Sequence, residues 1–161
     1  MTDVICNTSP FQYLHQINQL RILPALAGKI IVPPAVVDEI TVGRSVGVEL
    51  PDLSRLDWLV VRSPAGQSAL PLISDLGAGE SEVLMLALEI PGATVILDDM
   101  LARRVAGSLN VPLTGTLGLL LDAKQAGLIP QVRPLLEQLQ ALRFRLSSTT
   151  YQAVLKLAGE L

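Results

Sequence analysis

Short apolar runs alternate along this chain with longer stretches whose hydrophobic positions recur at helical spacing. The run TDVIC at 2–6 reads as a buried strand. Asn7-Thr8-Ser9-Pro10 then offers a helix N-cap followed by proline at the first helical position, so a helix is expected from Pro10 to about Asn18. Residues 29–32 form a second strand closed by Pro33-Pro34, and Pro34 opens a helix that continues through Ile40 or beyond. No clear pattern runs through 43–57. Residues 58–62 read as a third strand, and the Gly-, Ser- and Pro-bearing stretch 63–79 as a connection with one short helix. The periodicity then predicts a helix over 80–90, a strand over 94–97, a helix over 99–109, a strand over 111–113 and a helix over 116–127. Two more helices are expected after Pro130, separated by 144–146.

Short apolar strands alternating with amphipathic helices are the pattern of β-α-β crossovers, so the expected fold is α/β, a three-layer α/β/α sandwich around a central parallel sheet. At 161 residues the chain fits a single domain over 1–161 with one core. Half of its residues are hydrophobic but only 3% are aromatic, so that core must be aliphatic, as suits helices packed on parallel strands. Trp58 and the leucine-rich C-terminal segment read as packing. No internal repeat is present.

The N-terminus has no basic segment leading into an apolar one, and no uninterrupted apolar stretch is long enough to span a bilayer, so neither secretion nor a membrane span is expected. Cys6 is the only cysteine, which excludes an intrachain disulfide and a Cys-based zinc site and suits a reducing cytoplasm. It lies within an apolar strand and reads as a small hydrophobe. A formal charge of −3 and a pI near 5.1 argue against a sequence-blind nucleic-acid coat, though nine of the twelve Lys and Arg residues are Arg, and Arg103-Arg104 could form a local phosphate contact. A mean hydropathy of +0.48 leaves more apolar surface than a small core hides, which points to a homodimer.

In open parallel sheets, sites form at the carboxyl ends of the strands. Asn7 follows the first predicted strand and Asp98 the fourth. Around the helix after Asp98 the buried stripe is Leu101, Ala102, Val105, Ala106 and Leu109; Asp98 lies over it, while Asp99 lies off it at an N-cap position. Glu80 falls among Val83, Leu84, Ala87 and Leu88, about 180° from Glu82 and Glu89. Glu39 falls between Ala35 and Val36, with Asp38 about 100° away. Three inward-facing acids need a cation or shared protons. His15 and Cys6 being the only imidazole and thiol, the ligands on offer are oxygens, which select Mg²⁺ or Mn²⁺. Carboxylates around such an ion suit hydrolysis at phosphorus.

The segments VICNTSP, VPPAVVDEI, LGAGESEVLMLALE and VILDDMLARRVAGSLNVPLTGTLGLLLDAKQAGLIP together resemble PIN-domain proteins of the VapC-like branch, in a form with an N-T-S-P start. The resemblance covers nearly the whole chain. It implies Mg²⁺- or Mn²⁺-dependent cleavage of single-stranded or structured RNA to 5′-phosphate and 3′-hydroxyl ends, a homodimer, and a small antitoxin protein that blocks the pocket. Carried over, the family's acidic set falls on Asn7, Glu39, Glu80 and Asp98, with metal ligation by Glu39, Glu80 and Asp98. Thr8, Ser9, Asp99 and Thr114 or Thr116 are accessory positions, and Arg103, Arg104 and Lys124 are expected on the RNA backbone. Asn7 departs from the Asp of most PIN nucleases, which removes one negative charge and should lower affinity for the ion.

Two further readings compete. A PIN-like interaction module would keep the fold without turnover and use its surface for an antitoxin, an RNA or a dimer partner. A phosphoacceptor receiver would need an early acid pair, where this chain has Asn7. A hydrolase triad has no basis, since His15 has no Ser or Cys partner by sequence logic.

Overall fold

Five short segments rich in β-branched residues build the sheet: Val4–Cys6 (β1), Ile30–Val32 (β2), Leu59–Val61 (β3), Thr94–Ile96 (β4) and Leu113–Thr114 (β5). In the computed structural model, which describes residues 2–66 and 76–161, every pairing is parallel and the order is β3-β2-β1-β4-β5. Ile5 of β1 lies opposite Ile31 on one side and Val95 on the other. Ile5, Cys6, Ile30, Val32, Val95 and Ile96 are almost completely buried, as expected of inner parallel strands covered on both faces. At the β3 edge Val60 and Val61 are exposed.

Eight helices flank this sheet among the described residues, giving the α/β/α sandwich: Thr8–Gln16 (α1), Ile22–Ala27 (α2), Pro34–Ser45 (α3), Ala78–Glu89 (α4), Met100–Ser108 (α5), Thr116–Gln125 (α6), Arg133–Ala141 (α7) and Ser148–Leu157 (α8). α4 packs on β1, β4 and α3, while α6 packs on β5, α2 and α8. Phe11, fully buried on α1, stacks on the half-buried Trp58 with centroids 6.3 Å apart.

The departures from the expected pattern have local causes. α2 was not anticipated: ILPALA is too short to show periodicity, and it is held by burying Ile22 and Leu23. β5 starts at Leu113 rather than 111 because Val111 N–H donates to Ala106 O at 2.9 Å, closing α5 in a Schellman turn with Asn110 at φ 58°. α4 begins at Ala78, ahead of the expected start at 80. Most of the stretch where a short helix was expected, 67–75, lies outside the described residues. Among the described residues, no helix is long and apolar enough to cross a membrane.

Candidate functional site

The chain leaves β1 towards β2 on one side, while β4 lies on the other, so the β1/β4 junction is where the strand order reverses. Connections diverge at such a point and open a crevice at the carboxyl ends of the strands. Asn7 comes directly after β1, and Asp98 stands two residues past β4. Asn7 N–H donates to Ile96 O at 3.1 Å and ties the two exits together. A cleft of about 340 Å³ opens there, lined by Asn7, Ser9, Tyr13, Glu80, Asp98, Asp99, Met100, Phe144 and Arg145.

Three donors orient the Asp98 carboxylate. Thr116 N–H reaches Oδ1 at 2.8 Å, Thr116 Oγ1 reaches Oδ2 at 2.7 Å, and Ser9 Oγ reaches Oδ2 at 3.0 Å. Thr116 is fully buried and opens α6, so Asp98 also sits at the positive end of that helix. Gly115 permits the approach: a methyl group there would stand 2.8 Å from Asp98 Oδ1 and 2.7 Å from Arg103 Nη1. Asp99 caps α5 by accepting from Ala102 N–H at 2.9 Å, as its angular position predicted.

Glu39 occupies a second corner. Its carboxylate accepts from Thr8 Oγ1 at 2.5 Å and from Gly79 N–H at 3.1 Å. A methyl group on Gly79 would stand 2.7 Å from Glu39 Oε2 and 2.9 Å from Asn7 Oδ1, so these two oxygens converge on the start of α4. Asn7 is at the N-cap of α1, yet its side chain makes no capping bond. Asn7 is 3% exposed, and its Oδ1 is buried without a hydrogen-bond partner among the described residues. Glu80, half-buried in the first turn of α4, faces the cleft. Glu82, on the opposite side of the same helix, accepts from Ala35 N–H at 2.9 Å and fastens α4 to the start of α3.

Asn7, Glu80 and Asp98 thus share one cleft wall, with Glu39 beside Asn7. Among the described residues, however, no three acidic, histidine or cysteine side chains stand close enough together to grip an ion directly. The physical reason is visible in the donors: Glu39 is drawn to Thr8 and Gly79, Asp98 to Thr116 and Ser9, and like charges keep apart.

Several expected residues are used otherwise. Lys124 is not brought to the cleft: its Nζ donates to Ala158 O at 2.5 Å and to Glu160 Oε2 at 2.9 Å. Thr114 lies beside α6 in a separate hollow with Leu119 and Asp122, so of the two threonines only Thr116 touches Asp98. Arg103 comes close but donates to Leu97 O at 2.7 Å, bracing the end of β4, while Arg104 is exposed. Burial pushes the Cys6 thiol well above its usual range, with the charge of Asp98 adding to the effect, which fits an inert core residue. Tyr13, Met100, Phe144 and Arg145 line the cleft although sequence reasoning did not single them out as site residues. The one signal was the break at 144–146, an aromatic residue and an arginine placed between two helices.

The sequence matches the family described as "DUF3368: PIN domain" over residues 3–160. The chain belongs to the PIN-domain family. Its five-stranded parallel sheet and strand-end cleft are the PIN-like frame, a nuclease-type fold. A comparison with curated proteins found no match.

Proposed function

We propose that this PIN-domain protein is a Mg²⁺- or Mn²⁺-dependent endoribonuclease of the VapC-like type. In this reading it is the toxin of a toxin–antitoxin pair, a cytoplasmic homodimer held in check by a small antitoxin over the cleft. One observation carries the reading: Asn7 Oδ1 is buried without a partner beside Glu39, at the same junction where Asp98 is held by three donors. An amide oxygen left so costs about 1–3 kcal/mol. Its persistence is explained if the oxygen serves a ligand.

The donor set fits a hard cation, because the groups there able to ligate one, the carboxylates of Glu39, Glu80 and Asp98 and the Asn7 amide oxygen, all offer oxygen. Glu39, Glu80 and Asp98 with Asn7 Oδ1 would hold it, and when bound it supplies Lewis acidity at the phosphodiester and a water nucleophile at neutral pH. Thr116 and Ser9 hold the Asp98 carboxylate, and Thr8 with Gly79 N–H holds that of Glu39, each on its own side of the junction. Asn7 brings no charge, so millimolar ion concentrations are the appropriate test range.

The experiment is incubation of the purified protein with a fluorescent RNA in millimolar Mn²⁺, beside Asp98→Ala prepared identically. The expected result is cleavage by the wild type alone, and equal cleavage by both proteins sinks the reading. The separation of the acids favours a second reading, an interaction module without turnover. Calorimetric titration with Mn²⁺ distinguishes the two, since the module need not bind the ion.

A further inference from the structure

The chain has only five aromatic rings, and two of them, Tyr13 and Phe144, stand on the wall of the acidic cleft. They come from α1 and from the α7–α8 connection, and they meet edge to face with centroids 4.9 Å apart and planes at 88°. Both are half-buried, so part of each ring remains open to the cleft. The position of Phe144 is set by the backbone. α7 ends in a Schellman turn in which Phe144 N–H donates to Leu139 O at 2.9 Å and Arg143 N–H to Gln140 O at 3.0 Å. The residue in the left-handed conformation there is Arg143, at φ 66°, where glycine is the usual choice. Arg145 follows at once, exposed and on the cleft wall, and forms no ion pair among the described residues.

We infer that the α7–α8 connection is a nucleotide-positioning element: the Phe144–Tyr13 pair stacks an unpaired base and Arg145 contacts the adjoining phosphate. This rests on the nuclease reading of the same cleft and assigns the residues that hold one base and one phosphate of the strand. A ring at a cleft wall can take only a base free of its own stack, whereas a duplex keeps its bases stacked and paired. The guanidinium suits a phosphate because its planar fork matches two oxygens, and it offsets the repulsion that Glu80, Asp98 and Asp99 present to a polyanion.

The test is fluorescence anisotropy with an end-labelled oligoadenylate, in the Asp98→Ala background so that the probe stays uncut. Phe144→Ala should weaken binding by about fivefold to a hundredfold, the range for losing one stacked base. Phe144→Trp, which restores an aromatic face, should recover it, and this variant separates stacking from a fold defect. Arg145→Ala should weaken binding and flatten the slope of log affinity against log salt by about 0.7, as for one lost phosphate contact on a single strand. The same bases in an RNA duplex should bind more weakly and ignore Phe144. Single-stranded DNA of the same sequence separates the two sugars, and Phe144 dependence supports the inference with whichever strand shows it. Wild-type-like binding by Phe144→Ala and Arg145→Ala, equal losses on single strand and duplex, a Phe144→Trp protein as weak as Phe144→Ala, or no binding in the background would each overturn it. Cleavage that needs Asp98 but ignores Phe144 and Arg145 removes this inference and leaves the nuclease reading standing. Binding that depends on Phe144 and Arg145 without any cleavage does the reverse.

Discussion

Among the described residues, Glu160 and Asp98 each accept hydrogen bonds from three donors, and they stand in opposite surroundings. Glu160 takes Val132 N–H at 2.6 Å, Arg133 N–H at 2.9 Å and Lys124 Nζ at 2.9 Å. Its side chain is only 8% exposed, and the Lys124 ammonium balances its charge, so the C-terminal end of the chain is clasped to the start of α7. Asp98 takes Thr116 N–H, Thr116 Oγ1 and Ser9 Oγ, but forms no ion pair among the described residues and shares its cleft with Glu80 and Asp99. Hydrogen-bond count therefore does not separate a structural acid from a candidate functional one. Direct charge pairing differs: one carboxylate is paired with an ammonium in place, and the other lines a crevice with no ion pair among the described residues.

The largest expected effect that could break this contrast is on activity. Asp98→Asn keeps one acceptor for Thr116 N–H and turns an NH2 donor towards the Thr116 and Ser9 hydroxyls, which can accept in its place, while removing the charge, so Mn²⁺-dependent RNA cleavage should fall about a hundredfold or more, with a melting temperature close to that of the wild type. A drop in melting temperature with unchanged cleavage would make Asp98 the structural acid instead. Glu160→Gln should give the mirror image, leaving cleavage intact and removing about 1.5–3 kcal/mol of stability by analogy with hydrogen bonds to charged groups. For a chain of this size that is a fall of roughly 3–10 °C by calorimetry.

A smaller effect sharpens the picture of the crevice. Asn7→Asp should raise Mn²⁺ affinity about tenfold in calorimetric titration, because it adds the missing charge beside Glu39, and should lower stability in the absence of the ion. Weaker Mn²⁺ binding by this variant would show that Asn7 Oδ1 does not face the ion.

The smallest effect concerns acid. Burial pushes the Glu160 carboxyl up, but the N–H groups of Val132 and Arg133 and the bond and charge of Lys124 outweigh it, holding the carboxyl below its ordinary 4.5. A carboxyl lowered in the folded state contributes stability that is fully present above its unfolded value and is lost as pH falls through the folded one. Melting temperature should therefore decline as pH drops below about 4.5, and less steeply in Glu160→Gln. Identical slopes in the two proteins would assign the acid sensitivity elsewhere, to Glu89 or Asp52, both also held low by hydrogen bonds.

Angular position around a helix is legible in the sequence. It separated Glu80 from Glu82 and Asp98 from Asp99, and Asp99 is indeed the cap of α5. It could not show that Glu82 would be taken up by the Ala35 N–H of another helix, because that depends on α3 and α4 lying side by side. Lys124 was misplaced for the same kind of reason: its partner Glu160 is far along the chain, and no local pattern announces the clasp. Phe144 and Arg145 escaped notice because a break between two helices carries no periodicity, and only the fold turns that break towards β4.

What the sequence determined by itself is most of the elements, α2 excepted, and their inward faces, since strand and helix periods and proline and cap positions are local properties of neighbouring residues. It also limited the ligand chemistry to oxygen by containing a single histidine and a single cysteine. The tertiary structure alone decided that β1 and β4 are neighbours at the reversal of strand order, which puts Asn7 and Asp98 at one crevice. It also decided which acid met a cation and which did not, because pairing between distant charges is settled by how helices and strands pack and not by their order along the chain.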